Sequence, residues 1–155
     1  MAPISENDEL DAVDRTLLTA LQEDGRMGYA DLGRLVNLTP GGARRRVMRL
    51  EERGIVQVVG VTDPFKLGYR NMAMLGIVVE GDVAEVADAL GKIDDIVYVV
   101  VSAGSFDLLV EVVAKDSDAL FDVINSRVRK VPGVARTETF MYYSIHTHRF
   151  GWGTP

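Results

Sequence analysis

Thr39-Pro40-Gly41-Gly42-Ala43-Arg44-Arg45-Arg46-Val47-Met48-Arg49-Leu50-Glu51-Glu52-Arg53-Gly54 is the stretch whose reading decides how this chain is built. It opens on a helix start signal, a capping Thr followed by Pro at the first helical position, and it closes on Gly. Between those signals lie five arginines, in a 155-residue chain whose formal net charge is −6. Local positive charge on a short helix of an acidic protein points to a surface that meets phosphate. An acidic total does not exclude DNA, because the field that counts is the one at the contact face.

The residues before Thr39 turn that helix into half of a motif. Asp11 caps a first helix in which Leu17, Leu18 and Leu21 share a face, and Gly25 stops it. A second helix is expected from Tyr29 to Val36, with Leu32, Leu35 and Val36 turned inward, and Asn37 tolerates the left-handed conformation that ends it. Only Leu38 separates Asn37 from the Thr39 cap, which is helix-turn-helix spacing. At about 100° per residue, Ala43, Val47 and Leu50 of the third helix fall together and pack inward. Arg45 and Glu52 lie opposite, Met48 and Arg49 on the outer flanks, Arg44 to the side, and Arg46 near the buried edge. The candidate DNA-binding set is therefore Thr39, Gly41, Gly42, Arg44, Arg45, Met48 and Arg49. The N-terminal backbone N–H groups and Arg44 would hold phosphates, and Arg45 and Arg49 would reach base edges. Arg46 is expected instead to pair with a carboxylate of its own domain.

Composition narrows the class. The chain is 47% hydrophobic and 26% charged, an ordinary globular balance with enough length for one domain or two small ones. There is no cysteine, so a disulfide framework and thiolate metal or redox sites are out. No apolar run approaches the ~20 residues of a membrane span, and the polar N-terminus lacks a secretory signal. A cytoplasmic protein is the expectation.

Past Gly54 the pattern changes. Ile55–Val61 is β-branched and reads as a strand, Asp63-Pro64 turns the chain, and a connector runs to about Asn71. Met72–Glu80 reads as a strand. Asp82 and Glu85 form a capping box for a helix carrying Val83, Val86, Ala87 and Leu90, ended by Gly91. Ile96–Val101 and Leu108–Val113 are strands around a hairpin, and a helix from Asp116 to Arg129 is expected to bury Leu120, Phe121, Val123, Ile124 and Val128. Pro132-Gly133 then turns into a last strand from Val134 to about His146. The order is the split ferredoxin-like βαββαβ arrangement, and Lys92–Ile96 and Lys130–Val134 repeat each other at the helix-to-strand junctions of its two halves. The fold class is thus α+β. Residues 1–54 form a helix-turn-helix, winged-helix-like domain after a loose acidic tail, 55–71 a strand and linker, 72–148 the ferredoxin-like domain, and 149–155 a C-terminal tail. Strands this apolar on alternate residues leave one sheet face needing cover, which a second subunit would supply as a dimeric α/β sandwich.

With these features in place the chain resembles the Lrp/AsnC family, the feast/famine transcriptional regulators of bacteria and archaea. The resemblance runs from Leu10 to Ile145. It rests on Leu10-Asp11 with Asp14, Gln22–Arg26, Leu32, Leu38-Thr39-Pro40, Arg46, Arg49-Leu50-Glu51, Gly54-Ile55, Gly104–Asp107 and Val131–Val134. It implies double-stranded DNA as partner, a homodimer assembling to a tetramer or octamer, a nucleoid location, and no cofactor beyond a small-molecule effector, mostly an amino acid, bound between dimers. The hairpin Ser102, Ala103, Gly104, Ser105, Phe106 and Asp107 matches part of that pocket, and Thr137 and Thr139, on one face of the last strand, are candidates to add hydroxyls from a neighbouring subunit. Successive N–H groups at Gly104 and Ser105 can take a carboxylate and Asp107 an α-ammonium. The plainer alternative is that Gly104 only permits the turn and Asp107 only bonds the local backbone. Phe106 is open between interface packing and ligand contact. Two positions depart from the family: Gly41-Gly42 replaces a small polar or Pro-containing stretch, and Ser105 stands where an acidic residue is common. The first would allow close backbone approach to a phosphate or else reflects drift alone; the second should change which effectors are accepted.

No catalytic or metal site is expected. His146 and His148 lack further ligands nearby, Asp94-Asp95 reads as a turn, and no hydrolase, phosphate-loop or zinc spacing occurs. Trp152 in the tail is a candidate to dock on a partner subunit. Two other functions fit parts of the pattern: a haem-pathway decarboxylase of similar architecture, for which the two histidines are the only material, and an effector-independent architectural DNA-binding protein.

Overall fold

Three short helices make the N-terminal unit of the computed structural model, which describes residues 10–147: α1 (Ala12–Glu23), α2 (Tyr29–Leu35) and α3 (Pro40–Glu52). The starts of α1 and α3 follow from their caps, whereas α2 starts after Gly28 with no side-chain cap. The Asp11 carboxylate accepts from the Asp14 N–H at 2.8 Å, and the Thr39 hydroxyl accepts from the Gly42 N–H at 3.2 Å with Pro40 at the first helical position. Asn37 adopts φ 55°, which sends the chain out of α2 and straight into the next cap. Leu17, Ala20, Leu21, Leu32, Ala43 and Val47 form the core of this unit. Gly33 lets α2 lie against the following turn: a Cβ there would stand 2.6 Å from the Leu38 carbonyl oxygen.

Leu35 departs from the expected inward face and is 54% exposed. The inner side of α2 is centred between Leu32, Gly33 and Val36, and Leu35 lies about 100° away from that centre. The strand expected over Ile55–Val61 does not form; those residues carry no regular structure. β-Branched composition favours a pleated conformation only when a neighbouring strand takes up its backbone groups, and no described strand does. The chain divides between Val61 and Thr62, so that the turn Asp63–Tyr69 goes with the second unit and not with a separate linker.

That second unit runs β1 (Asn71–Val79), α4 (Val83–Leu90), β2 (Ile96–Val101), β3 (Leu108–Ala114), α5 (Ser117–Asp122) and β4 (Val134–Met141). The four strands form one antiparallel sheet in the order β2-β3-β1-β4. Ala73, Leu75, Ile77, Leu108, Val110 and Val112 face the helices and pack on Val86, Leu90, Leu120, Val123, Ile124 and Val128. Asp82 caps α4 by accepting from the Ala84 and Glu85 N–H groups, and Gly91 ends it. The repeated junction is real in geometry: the Ile96 N–H donates to the Ile93 carbonyl at 2.9 Å, and the Val134 N–H to the Val131 carbonyl at 3.1 Å.

Two expectations need correcting here. The helix from Asp116 to Arg129 is not one continuous α-helix: α5 passes into a π-turn over Val123–Arg127 and a 3-10 turn over Val128–Lys130. The wider turn, in which the Val128 N–H reaches the Val123 carbonyl, brings Val128 into the core after Val123 and Ile124. Phe121 sits about 100° round from Leu120 and is 69% exposed instead of buried. The last strand stops at Met141, which leaves His146 beyond the sheet. Past Met141 the Tyr142 N–H still donates to the Met72 carbonyl at 2.9 Å, and β1 itself begins at Asn71, so the ladder runs out there. His148 and the tail with Trp152 lie outside the described residues. Among the described residues no helix is long and apolar enough to cross a membrane, and no group of three His, Asp or Glu side chains is placed to hold a metal ion.

Candidate DNA interface and effector loop

On α3 the arginines separate by what lies beneath them. Arg46 reaches inward, where its Nη1 donates to Asp14 Oδ1 at 2.8 Å and to Asp11 Oδ2 at 2.5 Å. Asp14 is 2% exposed, so this guanidinium neutralises a buried carboxylate. The Asp14 N–H, with Arg46 adding to it, holds the Asp11 carboxyl below the usual carboxylate range against a smaller opposing effect of burial. Bonds to Asp14 and then Asp11 hold the Arg46 proton still more firmly. Arg46 is thus the structural arginine. Arg49 is intermediate: its Nη2 stands 3.5 Å from Asp14 Oδ2 while its side chain is 54% exposed. That contact anchors it on its inner side, where an unattached outer residue was expected.

Arg45, Met48 and Arg49 are exposed on one side of α3 and line an open groove with Leu38, Gly42, Arg46 and Glu52. Arg44 is exposed but outside that groove, and Thr39 is occupied by its cap. A Cβ on Gly41 would meet nothing within 4 Å, and one on Gly42 would lie 3.3 Å from the Thr39 hydroxyl. The first turn of α3 therefore presents bare backbone to solvent at Gly41 without any packing reason for it.

The second candidate site is the β2–β3 loop. Its ends are tied. The Ser102 N–H donates to the Asp107 carbonyl at 2.9 Å, and the Ser102 hydroxyl donates to the Phe106 carbonyl at 2.6 Å. The Asp107 N–H donates to the Ile77 carbonyl, and Asp107 Oδ2 accepts from the Val79 N–H at 2.8 Å. One Asp107 oxygen is therefore committed to the backbone of β1, 28 residues away in sequence and not to the local backbone of the plainer reading, while Oδ1 has no partner among the described residues. Ala103, Gly104 and Ser105 are exposed, and the Gly104 and Ser105 N–H groups donate to nothing among the described residues. Gly104 is not in the left-handed region and a Cβ there would meet open space, so the turn itself does not call for glycine.

Thr137 and Thr139 pair with Ile77 and Leu75, which puts them on the helix-covered face of the sheet. Thr137 accepts there from Arg129 Nε at 2.9 Å. Phe106 lies on the opposite face, against Gly76, with its ring centroid 6.0 Å from that of Phe140 in an edge-to-face arrangement and Arg136 5.5 Å from the Phe106 centroid. Within one chain the threonines and Phe106 do not converge. Gly76, Arg136 and Phe140 escaped the sequence reading, although a lone glycine inside an apolar strand is a known sign of close approach.

With this geometry the chain matches the AsnC-type helix-turn-helix domain over residues 10–51 and the Lrp/AsnC ligand binding domain over residues 72–151. The chain belongs to the Lrp/AsnC family. An uncharacterised HTH-type transcriptional regulator of Pyrococcus horikoshii is 33% identical over 145 residues, covering 92% of each chain. The HTH-type transcriptional regulator FL11 of Pyrococcus abyssi is 32% identical over 142 residues, 88% of this chain and 91% of that one. Among solved structures, the leucine response regulatory protein of Mycobacterium tuberculosis superposes with a TM-score of 0.83 at 26% identity, covering 90% of this chain and 96% of that one. A feast or famine regulatory protein of the same organism, complexed with L-methionine, does so at 0.81 and 26%, with the same coverage. As a Lrp/AsnC protein, this chain is a transcriptional regulator that joins a DNA-binding helix-turn-helix to a small-molecule-binding domain. Its relatives are named as regulators and not as enzymes.

Proposed function

We propose that this regulator binds a pseudo-palindromic operator with α3 in the major groove, and that an amino acid held at the Ser102–Asp107 loop, between dimers, tunes that binding. The observation that carries the second half is that one loop holds two uncommitted N–H groups, at Gly104 and Ser105, and the open Oδ1 of Asp107. A carboxylate would be received by the N–H groups and an α-ammonium by Oδ1, the ligand end of each bond being charged. The relative solved with L-methionine makes that amino acid the first probe. Arg45 and Arg49 would read base edges, Arg44 and the bare backbone at Gly41 would hold phosphates, and the effector is the only cofactor.

The sheet face opposite the helices carries Phe106, Phe140, Met74, Val78 and Val100 in half-exposed positions, and a second copy would cover it. Dimers so formed present two copies of α3, with half-sites about one helical turn apart or a multiple of it. Ligand between dimers would alter their spacing and so shift operator affinity by linkage. The cytoplasm, on the nucleoid, is its proposed place of work.

Selecting genomic fragments bound by the full chain, with and without an amino-acid panel that includes L-methionine, tests both halves. A shared inverted repeat whose recovery changes with one amino acid is the expected result. Binding with little sequence preference and no amino-acid response would leave an architectural DNA-binding protein instead.

A further inference from the structure

Gly76 stands in the middle of β1, between Leu75 and Ile77, which are fully buried in the core. Glycine weakens a strand interior, so a position that holds one invites the question of what comes close. Its backbone is not left-handed, and conformation does not demand it. Space does: a Cβ at Gly76 would stand 2.7 Å from both Cγ and Cδ2 of Phe106. The Phe106 ring therefore rests on the bare Cα, flanked by Phe140 and by the Arg136 guanidinium. The following residue continues the attachment along the same strand, with the Asp107 N–H on the Ile77 carbonyl and the Asp107 carboxylate on the Val79 N–H. In that last contact a side-chain oxygen replaces the backbone acceptor at the point where the β1–β3 ladder ends. Ser102 ties the other end of the loop to Phe106 and Asp107.

We infer that Gly76 is a positioning residue for effector recognition: its bare Cα seats Phe106, and that seat fixes the loop whose Gly104 and Ser105 N–H groups receive the effector carboxylate. The inference rests on the effector role proposed for that loop. Phe106 is one residue from Ser105 and one from Asp107, so a ring lifted off the sheet carries both halves of the site with it. Preformed donors bind better than donors that must first be ordered, and the seat supplies that order.

The test uses the full chain as wild type, Gly76→Ala, Phe106→Ala and the double variant. NMR-detected exchange of the hydrogen-bonded Ser102 and Asp107 amides reports on the loop ends, amides of α4 and the β3 core serve as controls, and L-methionine is titrated by calorimetry. Gly76→Ala is expected to speed exchange of the two loop amides by about tenfold with the controls unchanged. It should also weaken L-methionine by about tenfold. Phe106→Ala should do the same, and the double variant should be no worse than either, because both act through one contact. Additive effects, or loop amides unchanged in Gly76→Ala, would overturn the inference. Should Gly76→Ala fail to fold, the double variant, which lacks the ring, should fold; if it does not, the glycine serves something other than Phe106. If the wild type binds no L-methionine, the effector role is what fails for that ligand, and the exchange cycle still decides whether Gly76 positions the loop.

Discussion

Arg45 and Arg46 are neighbours on α3 and have opposite duties, set by the carboxylates beneath them. Arg46 covers Asp14, whose burial makes an unpaired charge costly, whereas Arg45 faces solvent in the groove along the helix. Arg46→Ala should lower the stability of the N-terminal unit by about 2–3 kcal/mol, as expected when a buried acceptor loses a half-exposed charged partner. Arg45→Ala should leave the denaturant midpoint within about 0.5 kcal/mol of wild type and still weaken operator binding. Equal losses of stability in both variants would refute that division. Tyr142 offers a pH-dependent counterpart in the second unit. Burial foremost, then the bond its hydroxyl donates to Glu111 Oε1 at 2.7 Å and that carboxylate's charge, pushes its phenol pKa up. Below its ordinary value of about 10 both folded and unfolded chains keep the proton, and the contribution is whole. Above that value the unfolded chain ionises first, so stability should fall as pH rises. Denaturant titrations at increasing alkaline pH should show this decline in wild type and a flatter profile in Tyr142→Phe.

At the scale of elements, local signals were legible wherever one cap or one turn decides the outcome. Asp11, Thr39 and Asp82 start the helices they were expected to start, and Asn37 takes the left-handed conformation between α2 and α3. Ile55–Val61 was misread because a strand is defined by its neighbour, which no composition records. The broken helix after α5 was likewise hidden, since no Gly or Pro marks the place where the turn widens over Val123–Arg127. Gly41 gives an element-level test. Nothing crowds it, and its backbone is unstrained, so Gly41→Ala should stabilise α3 by about 0.5 kcal/mol through lost unfolded-state freedom. If the bare turn exists to approach a phosphate, the same variant should bind operator more weakly while melting higher. Unchanged affinity would mean that the glycine has no part in binding.

For the whole molecule, the function proposed is a coupling between a basic helix and a separate small-molecule-binding domain in a chain of net charge −6. The acidic remainder makes non-specific attraction weak, so binding should depend on the phosphates that the α3 surface neutralises. Operator affinity should fall linearly on a log–log plot against salt, and removing one phosphate-contacting arginine such as Arg44 should reduce that slope by about 1. Arg46→Ala, assayed where it remains folded, should leave the slope unchanged, because its charge is spent on Asp11 and Asp14. Fluorescence anisotropy over a salt series separates the two.

The residues alone determined the two-part plan, the helix-turn-helix, the βαββαβ order and the loop proposed to hold the effector. These follow from caps, periodicity and turn residues that act over a few positions along the chain. Only the tertiary structure decided which arginine is structural, why Gly76 is a glycine, and that Thr137 and Phe106 face opposite sides of the sheet. Asp14 and Arg46 are 32 residues apart in sequence, and their meeting depends on how helices pack. Phe106 finds its seat on Gly76 because the sheet brings β1 beside β3, and contacts made across a fold leave no periodic trace in the chain.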